Sequence, residues 1–357
     1  MNRQEKRKTR ENTLPGRRAA QRKRRAVLWA LTGVLLVGIL LSFTLGRYPV
    51  PVRELSGILA ARLGAPVERF WTEQMERAVW NIRLPRVLLS VLVGASLAAA
   101  GAGFQGVFQN PMASPDVLGA SAGAGFGAAL ALLLSFPGYG VTLAAFAMGL
   151  LTVALVFTIG RYAKGDRLVG LVLSGIIVGS LCQSATSFIK LAADPANKLP
   201  QITYWLMGSL SGASWRDVRL AVLPMLAGLA LLLLSRWQIN VLTMGDDEAR
   251  ALGVNAPRVR GKIILCATLL TASAVSVSGM IGWVGLVIPH MMRRIVGSDY
   301  RYLMGASVLG GGIFLLAVDN LSRTVSASGV PIGILTAFIG APFFIWLITG
   351  RVDHYES

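Results

Sequence analysis

The side chains with the most distinctive chemistry in this sequence form a short charged run between two long apolar segments. The run contains, in order, Gly245, Asp246, Asp247, Glu248, Arg250, Leu252 and Gly253. Asp246 and Asp247 suit a helix N-terminus, because carboxylates accept hydrogen bonds from its free amides and oppose the helix dipole. Leu252 gives the helix an apolar side, and Gly253 suits the left-handed position after its end. A helix this short is unstable alone, so the segment 245–262 is predicted to dock on a partner protein. An ordinary cytoplasmic loop with one helical turn is the alternative.

No combination of residues predicts enzyme chemistry or a metal site. The chain has no phosphate-binding loop, because Lys262 is followed by Ile263 rather than by serine or threonine. Its two histidines, His290 and His354, are too few and too far apart to form a metal-ligand cluster. We expect His290 to pack or to cap at a helix end rather than to relay protons. The sequence therefore predicts no catalytic residues, bound metal or cofactor.

A few reactive side chains are isolated within apolar segments. Cys182 and Cys266 each lie in such a segment, so they are predicted to be core residues rather than a disulfide or metal ligands. Asp319 is the one carboxylate well inside an apolar segment, and Arg323 follows it by one helical turn. This i, i+4 spacing predicts a structural ion pair. A substrate or proton site at Asp319 is the alternative.

The composition predicts a membrane protein built of helices. Of 357 residues, 54% are hydrophobic and 15% are charged, and the mean hydropathy is +0.60. A spanning helix needs about 20 apolar residues, whereas a strand of a membrane barrel needs about 10 of alternating polarity. Nine segments have the length of a spanning helix: 27–46, 86–108, 115–136, 139–161, 168–190, 217–236, 262–280, 301–322 and 331–349.

Two further apolar stretches are shorter. The stretch 281–294 contains Pro289, which predicts a short or partly re-entrant helix. The stretch 201–213 is similar, and we leave it outside the set of spans. The predicted fold is therefore all-α, a polytopic membrane helical bundle of about ten transmembrane helices.

The distribution of basic residues predicts the orientation in the membrane. Lysine and arginine total 35 against 17 acidic residues, and 11 of the 35 precede Ala26. Most other basic clusters fall in loops on the same side, so the positive-inside rule places both termini in the cytoplasm. The tail lacks interleaved aromatic residues, so membrane lipid rather than nucleic acid is its predicted partner.

The sequence divides into a basic cytoplasmic tail (1–26), a transmembrane domain (27–350) and a short cytoplasmic C-terminal tail (351–357). A cleaved signal peptide is the other interpretation of the N-terminus. The apolar run 27–45 is long for a signal peptide, and no small-x-small cleavage site follows it. We therefore expect the first span to remain as an anchor.

Small residues and prolines predict how the second and third spans are arranged. Gly94, Ala98 and Ala102 form one stripe at helical spacing. Gly119, Gly123 and Gly127 form another. Such stripes allow helix backbones to pack closely. Between them, the residues 108–115 contain two prolines, which predicts a rigid cytoplasmic loop that ends one helix and starts the next.

Seven motifs occur in the order found in one transporter family. They are 83–86 (RLPR), 101–105 (GAGFQ), 110–119 (NPMASPDVLG), 205–210 (WLMGSL), 251–254 (ALGV), 282–290 (GWVGLVIPH), and 331–334 (PIGI) with 340–343 (GAPF). Together they resemble the FecCD-type permeases, the membrane subunits of type II ABC importers for iron-siderophore complexes, haem and cobalamin. The resemblance runs from about residue 27 to residue 350 and implies the type II ABC importer permease fold in the cell membrane.

The resemblance also implies partners. In that family two permease subunits, identical or paralogous, enclose one pathway, ABC ATPase subunits dock beneath, and an extracytoplasmic substrate-binding protein docks outside. ATP hydrolysis is therefore expected in a separate chain. The segment Gly245 to Gly253 matches the coupling helix that contacts the ATPase. Arg83, Arg86 and Arg323 match positions that pair with acidic side chains of the binding protein, and such contacts would fix its orientation. Interfacial snorkelling is the alternative for each arginine.

The fifth span, 168–190, is expected to line the pathway together with 201–214 and part of the tenth span. Its candidate lining residues are Ser180, Gln183, Ser184 and Ser187. A pathway that releases its cargo cannot bind it tightly, so we expect substrate choice to reside mostly in the binding protein. By frequency in the family, a ferric siderophore is the first expectation and haem or cobalamin the next.

Two other classes of protein fit less well. An ion-gradient-driven secondary transporter of a small organic solute also uses many helices and broken spans. Such proteins carry intramembrane carboxylates, and Asp319 is the one good candidate in this sequence. A membrane-embedded enzyme would need clustered acids or histidines, which the spans lack.

Overall fold

The computed structural model describes residues 14–46, 50–62, 64–163, 167–325 and 329–349, which form helices joined by short turns. In chain order the helices are α1 (Leu14–Thr44), α2 (Val52–Arg62), α3 (Glu73–Arg77), α4 (Leu84–Val107), α5 (Ala120–Leu133), α6 (Gly138–Tyr162), α7 (Arg167–Ala192), α8 (Lys198–Leu206), α9 (Trp215–Leu234), α10 (Arg236–Leu242), α11 (Asp246–Ala251), α12 (Ala256–Ser278), α13 (Val284–Val296), α14 (Tyr300–Val325) and α15 (Ile332–Thr349). No strand occurs in the described ranges. The predicted all-α class is confirmed.

Each of the ten predicted apolar segments corresponds to a helix. Seven spans in the described part of the chain are long and apolar enough to cross a membrane: α1, α3 continued by α4, α6, α7, α9, α12 and α14. The other three segments correspond to α5, α13 and α15. Of these, α5 has 14 residues and α13 has 13, so the short helix predicted around Pro289 is present.

Several boundaries differ from the sequence prediction. The helix α1 begins at Leu14, so the described part of the basic tail continues the first span as one helix. The third span begins at Ala120 instead of residue 115, because Pro115–Leu118 forms a 3-10 turn capped by the side chain of Ser114. The stretch set aside at 201–213 contributes to the short helix α8. Residues 1–13 and 351–357, with His354, lie outside the described residues.

The centre of the bundle is α4, which is buried along most of its length and packs on α12, α13 and α14. The predicted stripe of small residues makes this possible. A Cβ added at Gly94 would lie 2.2 Å from the backbone oxygen of Gly311 in α14. On the other stripe, a Cβ at Gly127 would lie 2.4 Å from the backbone oxygen of Ala144 in α6. Both stripes therefore serve helix packing within one chain.

Three helix breaks meet at one place, between α8 and α9, between α12 and α13, and before α15. The backbone N–H of Ser209 donates to Ser278 O (2.7 Å), and the N–H of Ile332 donates to Gly208 O (2.8 Å). Beside this junction Trp283 has a φ of 70°, which is uncommon for a bulky residue. Non-helical backbone within a membrane needs such internal partners, so the junction holds the broken spans together.

Candidate functional site

The charged segment predicted to contact a partner forms a separate short helix, α11 (Asp246–Ala251). Gly245, with a φ of 122°, precedes it. At its end the N–H of Gly253 donates to Arg250 O (2.9 Å) and the N–H of Val254 donates to Ala249 O (2.8 Å). These two bonds define a Schellman motif, and Gly253 has the left-handed φ of 76° that the motif requires. Asn255 then caps α12, so the predicted segment 245–262 is divided between two helices.

Asp246 attaches α11 to α12 and does not cap α11 as expected. The side chains of Asp246 and Asp247 do not cap α11. Instead Arg260, one turn into α12, donates to both carboxylate oxygens of Asp246, with Nη1 at 2.8 Å from Oδ2. These bonds hold the pKa of the Asp246 carboxyl below its usual range. A bidentate pair fixes direction as well as distance, so Asp246 orients the helix from within the chain.

The other charged side chains of α11 face outward. The Asp247 side chain is 93% exposed and forms a long contact of 3.5 Å with Arg250. Glu248 and Leu252 are also exposed, whereas Ala249 is buried against the bundle. The exposed set therefore combines acidic groups, a basic group and one apolar side chain, a mixture that suits a protein contact with a polar rim.

The loop between α4 and α5 lies beside this region. Gln109, with a φ of 49°, donates from Nε2 to Leu242 O at the end of α10 (2.6 Å). Asn110 accepts from the N–H of Met112 (2.8 Å), and the exposed Met112 closes the turn. The predicted rigid loop is thus joined to the helix that leads into α11. Sequence reasoning missed Gln109 as the connecting residue, because an amide that bonds a distant carbonyl leaves no local pattern.

A polar cluster behind this loop connects four helices. Gln105 of α4 donates to Leu286 O (3.3 Å) and accepts from Arg293 Nη2 of α13 (3.0 Å). Arg293 also reaches the hydroxyl of Tyr300 (3.4 Å), whose N–H donates to Asn240 of α10 (3.2 Å). These hydrogen bonds therefore join α10 and α14 to α4 and α13.

The three arginines predicted at the outer face lie close together at the other end of the bundle, but they have partners within the chain. Asp319 is fully buried, and it pairs with Arg86 Nε (2.8 Å) and with Arg323 Nε (3.2 Å). The i, i+4 pair predicted for Asp319 and Arg323 is thus confirmed. Arg83 is buried and donates to the backbone oxygen of Phe43. The side chains of Arg86 and Arg323 are only 12% and 10% exposed.

This outer cluster also ties α1 to the bundle. Arg323 donates to Ser42 Oγ (2.7 Å), and Ser42 in turn donates to Asn320 Oδ1 (2.7 Å). The cluster contains three guanidinium groups and one carboxylate, which pairs with two of them, so it keeps an excess of positive charge. The pairing of Asp319 with Arg86 was not predicted, because residues on α4 and α14 have no sequence proximity.

The helix α7 carries the four side chains predicted to line a pathway. Ser180, Gln183, Ser184 and Ser187 are all exposed in the single chain. Ser187 Oγ donates to Gln183 O of its own helix (3.0 Å), so its hydroxyl is already satisfied without a neighbour. In contrast, Ser174 and Thr186 are buried and bond their own helix backbone. The exposed polar positions therefore form a distinct surface on the C-terminal half of α7.

Potential metal ligands and reactive cysteines are dispersed in the described ranges. No group of three or more histidine, cysteine or acidic side chains there could hold a metal ion. Cys182 and Cys266 are buried and unpaired, as predicted for core residues. His290 is partly buried in α13.

Comparison with known proteins identifies the family. The FecCD transport family model matches residues 34–350. The molybdate import system permease protein MolB of Haemophilus influenzae is 36% identical over 322 residues, which cover 89% of this chain and 94% of MolB. The cobalamin import system permease protein BtuC of Halobacterium salinarum is 39% identical and covers 92% of this chain and 97% of BtuC.

A solved structure has the same architecture. It is described as an inward-facing ABC transporter assigned to the metal-chelate type, and it matches with a TM-score of 0.82 and 34% identity over 92% of this chain and all of its own. The chain therefore belongs to the FecCD transport family. It is a multi-pass permease subunit of an ABC importer, with the type II importer permease fold predicted from its motifs.

Proposed function

We propose that this chain forms the translocation pathway of an ATP-driven importer for an iron-siderophore complex, with both termini in the cytoplasm. The observation that carries the proposal is α11, a short helix attached rigidly through Asp246 and Arg260 but exposed on its charged side. Such a helix is stabilised by its attachment and leaves Asp247, Arg250 and Leu252 for a partner. We assign that contact to the ABC ATPase subunit.

Transmission of movement from the ATPase has a route in the described contacts. Force applied to α11 reaches α12 through the Asp246–Arg260 pair and reaches α10 through the adjoining backbone. From α10 the route continues through Gln109 and Asn240 to α4 and α14. We infer that ATP-driven movement of the partner is transmitted to the bundle by these side chains.

The outer cluster is the proposed docking site for the substrate-binding protein. Arg83, Arg86 and Arg323 together carry more positive charge than Asp319 neutralises, which suits an acidic surface. Since Arg86 and Arg323 already pair with Asp319, an approaching carboxylate would compete with Asp319 for them. Docking would then loosen the contact between α4 and α14.

A second permease subunit, identical or paralogous, is proposed to face α7. Ser180, Gln183, Ser184 and Ser187 are polar and exposed on a helix whose neighbouring exposed residues include Leu181 and Phe188. A single subunit leaves that surface uncovered, whereas two subunits related by a twofold axis would enclose it. The groove beside α15, lined by residues such as Met207, Met280 and Phe338, would extend the same pathway.

The subunit arrangement is tested by single cysteines. Ser184→Cys and Ser187→Cys are made in a background where the buried Cys182 and Cys266 are replaced by serine. If the proposal holds, each cysteine crosslinks to its equivalent across the axis or is protected by trapped substrate. Labelling of both positions from the lipid phase, with one permease chain in the purified complex, would contradict it.

The cargo assignment rests on the relatives. Their names span molybdate, cobalamin, hemin, an iron chelatin and Fe(3+)-citrate, and iron complexes recur among them. Cells that express the chain with its ATPase and binding protein are expected to accumulate a labelled ferric siderophore. Accumulation of haem, cobalamin or molybdate instead would contradict the siderophore assignment, while the proposed ATP-driven mechanism would stand.

A secondary transporter is the competing function. It would need a carboxylate that is free to bind and release an ion. Asp319, the candidate for that role, is enclosed by Arg86 and Arg323. Because both guanidinium groups already occupy this carboxylate, the arrangement favours the ATP-driven importer.

A further inference from the structure

The helix α1 continues without a break from the apolar span into the basic region. It runs from Leu14 to Thr44. The family match begins only at residue 34, so the basic half of this helix lies outside the region that the family model matches. Its function therefore has to be sought in its own surface.

Four exposed residues form one stripe on this helix. Arg18, Arg22, Arg25 and Trp29 are all exposed, and Trp29 has 76% of its surface accessible. Their spacing of four, three and four residues places them within an arc of about 60° on a helix with 3.6 residues per turn. From the first to the last the stripe is about 16 Å long at 1.5 Å per residue.

The opposite side of the helix is attached to the bundle. Arg24 pairs with Asp299 (3.6 Å) and lies over the ring of Tyr302 at 5.5 Å. Val27 and Leu28 pack against the hydrophobic core. These contacts fix the rotation of α1, so the arginine stripe points away from the rest of the subunit.

The stripe continues directly into an apolar surface. Leu36 and Leu40 are exposed at the same angular position, farther along the span. An apolar helix face that points away from the bundle contacts lipid chains. The arginines extend that face beyond the span, with Trp29 at the boundary, where tryptophan is enriched in membrane proteins. In the described ranges no acidic side chain pairs with Arg18, Arg22 or Arg25.

We propose that Arg18, Arg22 and Arg25 bind the headgroups of anionic phospholipids in the leaflet that surrounds the start of α1. The inference rests on the proposed orientation, which puts this end of the helix in the cytoplasm. Guanidinium groups form bidentate hydrogen bonds with phosphate, and the cytoplasmic leaflet carries the anionic lipids. Bound lipid would hold the depth of α1 in the membrane, and Arg24 would hold its rotation.

The chain supplies a matched pair of variants that separates this stripe from general basic charge. Arg22→Gln with Arg25→Gln removes two positive charges from the stripe. Lys23→Gln with Arg24→Gln also removes two positive charges from the stretch 22–25, but neither residue belongs to the stripe. Because the second variant also breaks the Arg24–Asp299 pair, any loss caused by disturbed folding should be larger in this control.

The test uses the full-length permease, purified from vesicles of mixed phosphatidylcholine and phosphatidylglycerol, with retained lipids counted by native mass spectrometry. Each arginine near an anionic surface contributes about a fivefold preference. The stripe variant should therefore lose about 25-fold in phosphatidylglycerol retention relative to phosphatidylcholine. The control should stay within about twofold, because its charges point elsewhere.

Equal losses in the two variants would overturn the proposal, since they would show general charge attraction instead of a site. Unchanged retention in the stripe variant would also overturn it. If that variant keeps its lipid but loses the co-purified ATPase, the stripe contacts protein and the lipid assignment fails. The measurement needs neither transport nor ATP, so its failure is distinguishable from failure of the proposed importer function.

Discussion

The two ends of the bundle use charged residues in opposite ways. At the end proposed to face outward, Asp319 is fully buried, and two arginines neutralise it within the chain. At the other end a single pair, Asp246 with Arg260, attaches α11, while Asp247 and Arg250 remain largely exposed. The difference indicates that the outer charges stabilise the subunit first and that the charges of α11 are available to a partner.

Energetics give the same contrast. A buried charge that loses its partner is destabilising by about 3–5 kcal/mol, whereas an exposed ion pair contributes about 0–1 kcal/mol. Substitutions in the outer cluster should therefore affect folding. Substitutions on the exposed side of α11 should affect function while the subunit stays folded. The following predictions test this division, beginning with the largest effect.

The largest effect is expected from Arg250→Glu combined with Leu252→Asp. Both side chains are exposed on or just after α11, so their replacement should remove the ATPase contact and reduce ATP-driven uptake to the level of vesicles without ATPase. The permease should remain inserted and elute at its normal size. Uptake is measured with reconstituted complex, and ATPase binding is measured by co-purification.

Arg161→Glu with Tyr162→Asp is the matched control for that variant. These residues are also exposed, and they lie at the end of α6 outside the charged segment. The control should keep both ATPase binding and uptake. If instead the α11 variant co-purifies with its ATPase and transports at the wild-type rate, the coupling assignment is wrong.

The same chemical change at the two ends should have very different consequences for stability. Asp319→Asn leaves two buried arginines without a carboxylate, so the unfolding free energy should fall by about 3–5 kcal/mol. Asp246→Asn loses an ion pair at a partly exposed site, and a fall of about 1 kcal/mol or less is expected. Thermal unfolding in detergent compares the two variants, and equal shifts would contradict the contrast between the ends.

A glycine pair tests how tightly the junction of the broken helices is packed compared with the start of α12. A Cβ at Gly333, at the junction of the broken helices, would lie 2.3 Å from Met207 O and 2.8 Å from Met280 O. Gly333→Ala should therefore cost about 1–3 kcal/mol through overpacking. At Gly261, near α11, an added Cβ meets nothing within 4 Å. Gly261→Ala should be neutral or stabilise by about 0.4–1 kcal/mol, since alanine restricts the unfolded chain.

A smaller effect is expected for docking of the binding protein. Arg323→Gln removes the charge and keeps a shorter polar side chain, so affinity should fall about tenfold at low salt and less at high salt. Asp319→Asn, examined at a temperature where it remains folded, should keep or increase affinity, because it removes the competing carboxylate. Affinity unchanged by Arg323→Gln, or by Arg83→Glu and Arg86→Glu, would count against the outer cluster as the docking site.

Much of the fold could be predicted because bilayer thickness fixes helix length. Each of the ten predicted apolar segments corresponds to a helix, and the stripe that contains Gly94 packs closely on α14. The starts predicted at residues 27 and 115 were wrong, since the two helices begin at Leu14 and Ala120. Helix propensity carries α1 past the apolar run, and the turn at Pro115 delays the start of α5.

The candidate sites were predictable only where their residues are neighbours in sequence. Local spacing predicted the Asp319–Arg323 pair and the left-handed Gly253, because one helical turn sets both. Arg86 and Arg260 also bind acidic residues, but each partner belongs to another helix. The capping predicted for Asp246 is absent for the same reason. A bidentate arginine on α12 is a stronger partner for this carboxylate than the amides of a six-residue helix.

The measurement that tests the central claim most directly is uptake by proteoliposomes that contain the permease, its ATPase and the binding protein. Uptake of the labelled ferric siderophore should require ATP and the ATPase, should be abolished by the variant that carries Arg250→Glu and Leu252→Asp, and should not respond to a proton or sodium gradient. ATP hydrolysis stimulated by the loaded binding protein gives a second readout of the same coupling. Uptake driven by an ion gradient without ATP or the ATPase would contradict the account and make the secondary transporter the correct class.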